Sequence, residues 1–162
     1  MVQSSGYTTV DGEFDPIEER SFYTIDDFKI SGKTIILRID INSSINPDNG
    51  EILDDTRIRR HSATVKELSQ KESKVVILAH QSRPGKLDCV SLNEHSKRMS
   101  NLIGKNIKFI PDIYGEAVQA SIKNMNDGDI IMLENVRFDD EEIELNKFKN
   151  NNFKAQANAK MI

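Results

Sequence analysis

Apolar and polar positions follow two rhythms along this chain, and each change of rhythm marks an element. Short apolar runs predict strands over Lys33–Ile39, Lys74–Ala79, Asn106–Ile110 and Asp129–Leu133. Between them the apolar positions fall at helical spacing. Ile58, Val65 and Leu68 predict a helix from Asp54 or Asp55 to about Lys71. Leu92, His95, Met99, Leu102 and Ile103 predict a second, which starts at Ser91-Leu92-Asn93-Glu94, a sequence of capping-box form, and stops at Gly104. Val118 and Ile122 mark the inner face of a third, Gly115 to Met125. Phe148 to Ile162 predicts a fourth, through Phe153, Ala157 and Met161. Ahead of the first strand, Thr24–Phe28 reads as one capped helical turn with Phe22 and Phe28 as packing anchors. Pro47-Asp48-Asn49-Gly50 is a turn within a long connection.

The order is therefore β-α-β-α-β-α-β-α. Strict alternation implies crossover units, a parallel sheet and helices on both faces, a three-layer α/β (Rossmann-like) domain. The last helical pattern reaches Met161-Ile162 without a stop signal, so we expect an incomplete domain whose sheet needs further elements. Residues 1–20 are polar and aperiodic and read as a mobile leader, with the domain occupying 21–162.

Charge changes the picture only in where it lies. The net charge is −4, and residues 1–20 hold Asp11, Glu13, Asp15, Glu18 and Glu19 against Arg20 alone. The body is left with 21 acids and 21 bases, so there is no overall nucleic-acid footprint, and an anion site must be a local cluster. Cys89 is single, which excludes a disulfide framework and fits a reducing compartment. No apolar stretch approaches the roughly 18 residues of a membrane span. There is no GxxxxGK[ST], GxGxxG, HExxH or CxxC motif, so a nucleotide site of those kinds is not in this segment.

Three strands end in polar or cationic groups. The first runs into Arg38, Asp40 and Asn42, the second into His80 and Arg83 on a turn closed by Pro84-Gly85, and the last into Glu134, Asn135 and Arg137. Carboxyl ends of parallel strands share one edge, so these groups suggest an anion-binding rim there. His80 and Arg83 suit a phosphate or carboxylate, the arginine through two parallel bonds. Asp40 and Asn42, two apart, suit a ligand hydroxyl. Arg57 sits in a helix's first turn, where the dipole disfavours a cation unless an anion meets it. Each has a plainer reading: Arg57 paired with Asp54, Arg137 with Asp139 or Glu141, Asp40 with an arginine, and His80 as a neutral ring at the core boundary. His61 and His95 read as helix-face or core residues. Asp139-Asp140-Glu141-Glu142 lacks calcium-loop spacing and reads as a solvated run.

Four motifs resemble the N-terminal domain of phosphoglycerate kinases, in order: Arg38-Ile-Asp40-Ile-Asn42, Asp54-Asp55-Thr-Arg57-Ile, His80-Gln-Ser-Arg83-Pro84 and Leu133-Glu-Asn-Val-Arg137-Phe138. Gln81-Ser82 stands for the usual Leu-Gly and Ser43-Ser44 for Val-Pro, both resembling the archaeal branch. The resemblance covers residues 21–162 and implies a cytoplasmic, monomeric enzyme of glycolysis and gluconeogenesis. Its reaction would be reversible phosphoryl transfer from 1,3-bisphosphoglycerate to ADP, giving 3-phosphoglycerate and ATP. This segment would bind the glycerate, through Asp40, Ile41, Asn42, Arg57, His80, Gln81, Ser82, Arg83 and Arg137, with Arg38 a weaker candidate. Arg57 would also be catalytic, facing the acyl phosphate. Mg-ADP or Mg-ATP would be held by a C-terminal domain that the segment lacks, leaving the segment alone inactive. The rival is a non-catalytic anion- or nucleic-acid-binding module using Arg57, Arg59, Arg60 and His61, although helical spacing spreads those bases around the helix.

Overall fold

The computed structural model describes residues 23–139 and Glu142. Four strands, β1 (Thr34–Ile39), β2 (Lys74–Ala79), β3 (Lys108–Phe109) and β4 (Ile130–Met132), alternate with three helices, α1 (Thr56–Gln70), α2 (Asn93–Ile103) and α3 (Glu116–Lys123). All strand pairs are parallel, in the order β1-β2-β4-β3. Ile36 lies opposite Val76, Val76 opposite Ile131, and Phe109 opposite Met132.

Handedness decides where the helices go. The crossovers β1→β2 and β2→β3 step the same way across the sheet, so right-handed connections put α1 and α2 on one face. The β3→β4 crossover steps back and puts α3 on the other. The two cores agree with this. Ile58, Val65 and Leu68 of α1 and Met99 and Ile103 of α2 pack on Ile39, Val75, Ile77, Ile130 and Met132. Val118 of α3 packs with Met125 on Val76 and Ile131. Neighbouring strand residues thus serve opposite cores, as the two-residue period requires. β2 beyond Lys74 and the whole of β4 are apolar because both of their faces are covered.

The α/β alternation and all three helix faces are as the sequence predicts. The α2 start differs. Ser91 and Glu94 do not cap each other; Glu94 pairs with Lys97, and the Ser91 hydroxyl donates to Glu134 at 2.8 Å. The Glu134 carboxylate also accepts the Leu92 amide at 3.0 Å. A carboxylate arriving from β4 meets the positive end of the helix dipole and replaces the local box. At α1 the flanking residue is Asp55, but its carboxylate turns to Arg59 and Arg98, while Asp54 accepts the Thr56 amide at 2.9 Å. The predicted strand at 106–110 shortens to two residues, since the Ile107 amide is drawn to the Ser100 hydroxyl instead. The predicted leader, Phe22 and the helix over 148–162 lie outside the described residues, as does all of the acidic run after Asp139 except Glu142.

Candidate functional site

The carboxyl ends of β1, β2 and β4 lie side by side, and a cleft of about 450 Å³ opens where their loops diverge. Asn42, His80, Ser82, Arg83, Lys86, Asp88 and Arg137 line it. Five of these are residues the sequence singled out. Lys86 and Asp88 were missed; no spacing links them to the rim, and only the path of the loop after Pro84 brings them there.

The walls are set by buried amides. The Asn135 side chain is wholly buried and ties both ends of the β2–α2 loop to the loop after β4. Its oxygen accepts the Gln81 amide at 3.2 Å and the Arg137 amide at 3.1 Å, and its NH2 donates to the Gln81 and Val90 carbonyls at 3.0 and 2.9 Å. Gln81 is equally buried. Its oxygen accepts the Ser43 amide at 2.8 Å and its NH2 donates to the Ser43 carbonyl at 2.9 Å, a paired bridge from the β2 loop to the β1 loop. His95 of α2 places Nε2 at 3.1 Å from the same Gln81 oxygen. That oxygen only accepts, so Nε2 carries the proton and Nδ1, which is buried without a partner, does not. Burial pushes the His95 pKa down to about 4. Gln81 and Ile41, both named above as substrate-binding, therefore turn their side chains into the protein. The Gln81 main chain is taken as well, its N–H and carbonyl both bound by Asn135, so neither residue is open to a ligand; the Gln81 side chain acts as a strut because its amide matches the Ser43 backbone.

Ser82 adopts φ +59°, a left-handed conformation that a side chain resists. Two bonds hold it. Its amide donates to Asn42 Oδ1 at 2.8 Å and its hydroxyl to Asp88 Oδ1 at 2.6 Å. With Oδ1 so engaged, Asn42 is left to present its NH2 as a donor. Asp88, the one carboxylate in the cleft lining, is satisfied by Ser82.

The cations divide into two sets. Arg57 is paired with Asp40, and Arg38 with the buried Glu142. Arg59 is held by Asp55. Among the described residues Arg83, Lys86 and Arg137 make no ion pair, and Arg137 Nε is buried with no hydrogen-bond partner at all. These three line the cleft. The pKa of His80 beside them is lowered first by burial and then by the Arg137 charge. Asp40 is opposed by its own desolvation, yet the Asn42 amide and the Arg57 guanidinium outweigh this and hold its pKa below the usual carboxylate range. Of the plainer pairings, Arg57 finds Asp40 rather than Asp54; of the two acids offered to Arg137, Glu141 lies outside the described residues. With Arg57 and Arg59 each neutralised, the basic run on α1 does not form a cationic stripe. No helix among the described residues is long and apolar enough to cross a membrane.

Residues 25–161 match the family model described as "Phosphoglycerate kinase". The chain is 55% identical over 122 residues to the phosphoglycerate kinase of Methanothermus fervidus, covering 75% of this chain and 30% of that protein. It is 52% identical over 123 residues to that of Methanosarcina mazei, covering 76% and 29%. Among solved structures it is similar to the crystal structure of phosphoglycerate kinase from Pyrococcus horikoshii OT3, with a TM-score of 0.72 and 34% identity over 75% of this chain and 30% of that one. The chain thus spans about 30% of the length of the curated relatives it matches.

Proposed function

The chain belongs to the phosphoglycerate kinase family, and from that premise we propose that its described part is the glycerate side of such an enzyme, binding 3-phosphoglycerate and 1,3-bisphosphoglycerate. One observation carries this reading: Arg83, Lys86 and Arg137 converge without carboxylate partners on one cleft, beside a half-buried His80. A terminal phosphate brings about −1.5 to −2 charges near neutral pH. Each charge-assisted bond is worth roughly 1.5–3 kcal/mol. An anion of that charge gives the orphaned Arg137 Nε the partner it lacks.

In this reading Arg83, Arg137 and His80 hold the phosphate end. Asn42 donates to the carboxyl end and Asp40 accepts the glycerate hydroxyl. Taking that hydroxyl would compete with the Arg57 pair and turn Arg57, at the start of α1, toward the acyl phosphate. Phosphoryl transfer needs chiefly alignment and charge neutralisation, so a free guanidinium is the main contribution this half would make to the chemical step. The nucleotide, ADP or ATP with its Mg²⁺, would be held by the length of the family protein that this chain does not span. The described residues contain no group of three His, Cys, Asp or Glu side chains able to hold a metal ion. The proposed setting is the cytoplasm, in glycolysis or gluconeogenesis.

Titration of the chain with 3-phosphoglycerate, followed by amide NMR, tests the reading. Shifts should concentrate at Asn42, His80–Arg83 and Arg137, and glycerate without the phosphate should give far smaller ones. Equal shifts with both ligands, or shifts centred on α3, would overturn it. The 162-residue chain should form no ATP from 1,3-bisphosphoglycerate and ADP; measurable turnover would refute the division of labour.

A further inference from the structure

The cleft carries one more cation than the two arginines placed on the phosphate. Lys86 lines it too, and the backbone fixes it there. Pro84 and Gly85 are the central residues of a tight turn: the Lys86 amide donates to the Arg83 carbonyl at 3.1 Å, and Gly85 takes φ +79°. Proline at the second position and positive φ at the third mark a type II turn, whose first and fourth Cα atoms lie within about 7 Å. A Cβ at Gly85 would meet nothing within 4 Å, so conformation and not space calls for glycine. A second turn follows, in which the Cys89 amide donates to the Lys86 carbonyl at 3.0 Å. The Ser82–Asp88 bond closes the base of the loop, and the Asn135 NH2 holds the carbonyls of both its ends, Gln81 and Val90. Lys86 is therefore carried beside Arg83 on a braced loop.

The carboxylate nearest to it in sequence does not neutralise it. Asp88 lines the same cleft but accepts the Ser82 hydroxyl, and among the described residues Lys86 makes no ion pair. Three cations and one carboxylate leave the lining two net positive charges. His80 adds none near neutral pH, because burial and then the Arg137 charge hold its pKa below the ordinary 6.5. A phosphate monoester brings about −1.5 to −2 charges at that pH, whereas a sulfate ester of the same shape brings a single one. We propose that Lys86 is a specificity-determining residue, the cation that matches the cleft to a doubly ionised phosphoryl group in preference to singly charged esters. This role rests on the glycerate reading and adds to it a residue and a selectivity. Lysine suits the task as a compact charge on a flexible stem, which neutralises without imposing the two-bond geometry of arginine.

Calorimetry on the 162-residue chain near neutral pH compares 3-phosphoglycerate with the 3-sulfate ester of glycerate. The unaltered chain should prefer the phosphate. Lys86→Met should weaken phosphate binding about 10-fold and sulfate binding about 3-fold or less, so that the preference shrinks. Lys86→Arg keeps the charge and should stay within about 3-fold of the unaltered chain for both ligands. Lys86 is exposed, so methionine there should leave the fold intact, which the amide NMR spectrum checks. Equal losses for the two ligands, or no loss with the phosphate, would overturn the role given to Lys86. Arg137→Met separates this from the reading beneath it. If Arg137→Met weakens the phosphate and Lys86→Met does not, the role of Lys86 falls alone. If the unaltered chain binds neither ligand, or Arg137→Met has no effect, the glycerate reading falls with it.

Discussion

Replacing His95 with Leu should remove one component of the pH dependence of stability and reverse the order of the two proteins' stabilities over a defined window. The ring is buried, donates through Nε2 to Gln81, and has no partner for Nδ1, so the folded protein resists protonating it. Its pKa is about 4 in the fold against 6.5 for a free histidine. Above pH 6.5 the ring is neutral folded and unfolded and contributes no slope. Between 6.5 and 4 only the unfolded chain takes up the proton, so stability falls with pH by about 1.4 kcal/mol per unit, roughly 3 kcal/mol in all. The Leu variant lacks this loss. At pH 7 it gives up one hydrogen bond, while the Gln81 oxygen keeps the Ser43 amide, a cost of about 1–2 kcal/mol. The two stability curves should therefore cross between about pH 5 and 6, with the variant the more stable near pH 4. Carboxylates titrate alike in both proteins and cancel in the difference. Urea unfolding by circular dichroism from pH 4 to 7.5 measures it, the chain having no tryptophan. A difference that stays flat across the window would show that His95 takes a proton inside the fold, and the tautomer assigned from Gln81 would be wrong.

Arg137→Met should weaken 3-phosphoglycerate binding by about 10- to 100-fold, since one charge-assisted contact is lost, and change stability by less than about 0.5 kcal/mol, because no ion pair is broken; calorimetry and urea unfolding separate the two. Asn135→Ala should cost about 2–4 kcal/mol in urea unfolding, as four backbone groups from two loops lose their partner at once. At Ser82, Gly should be better tolerated than Ala by about 1 kcal/mol, because both lose the Asp88 bond but only Ala keeps a Cβ at positive φ. Gly128→Ala should cost about 1–3 kcal/mol in the same assay: φ is +85°, and a Cβ would meet the Ser69 carbonyl oxygen at 3.1 Å.

Elements that bury a face were legible in the sequence, because burial writes a period. α1 and α2 show it at Ile58, Val65, Leu68 and at Leu92, Met99, Ile103. The rim was legible for a different reason: strands in a parallel sheet end together, so polar groups after Ile39, Ala79 and Leu133 had to be neighbours. What stayed hidden was which partner each polar group would choose. Ser91 and Glu94 have the spacing of a cap, yet Glu134, 43 residues from Ser91 in sequence, takes the serine. Gln81 sits amid the rim residues, yet its amide fits the Ser43 backbone and is lost to the cleft. Lys86 and Asp88 have no periodic signature at all. Local spacing describes what a residue can reach within its own segment, and long-range pairing is settled only once the sheet has assembled.

The single amide that joins the turns after β2 and β4 to the segment before α2 has a consequence for protein engineering. Homologous recombination between this chain and a relative cannot treat those segments as interchangeable parts. A transplanted 80–90 turn would arrive expecting an asparagine at 135 and the main chain of residue 43 within reach of its glutamine, and without them its polar groups would be stranded. Chimeras should succeed when all three segments travel as one cassette and fail at crossover points that divide them.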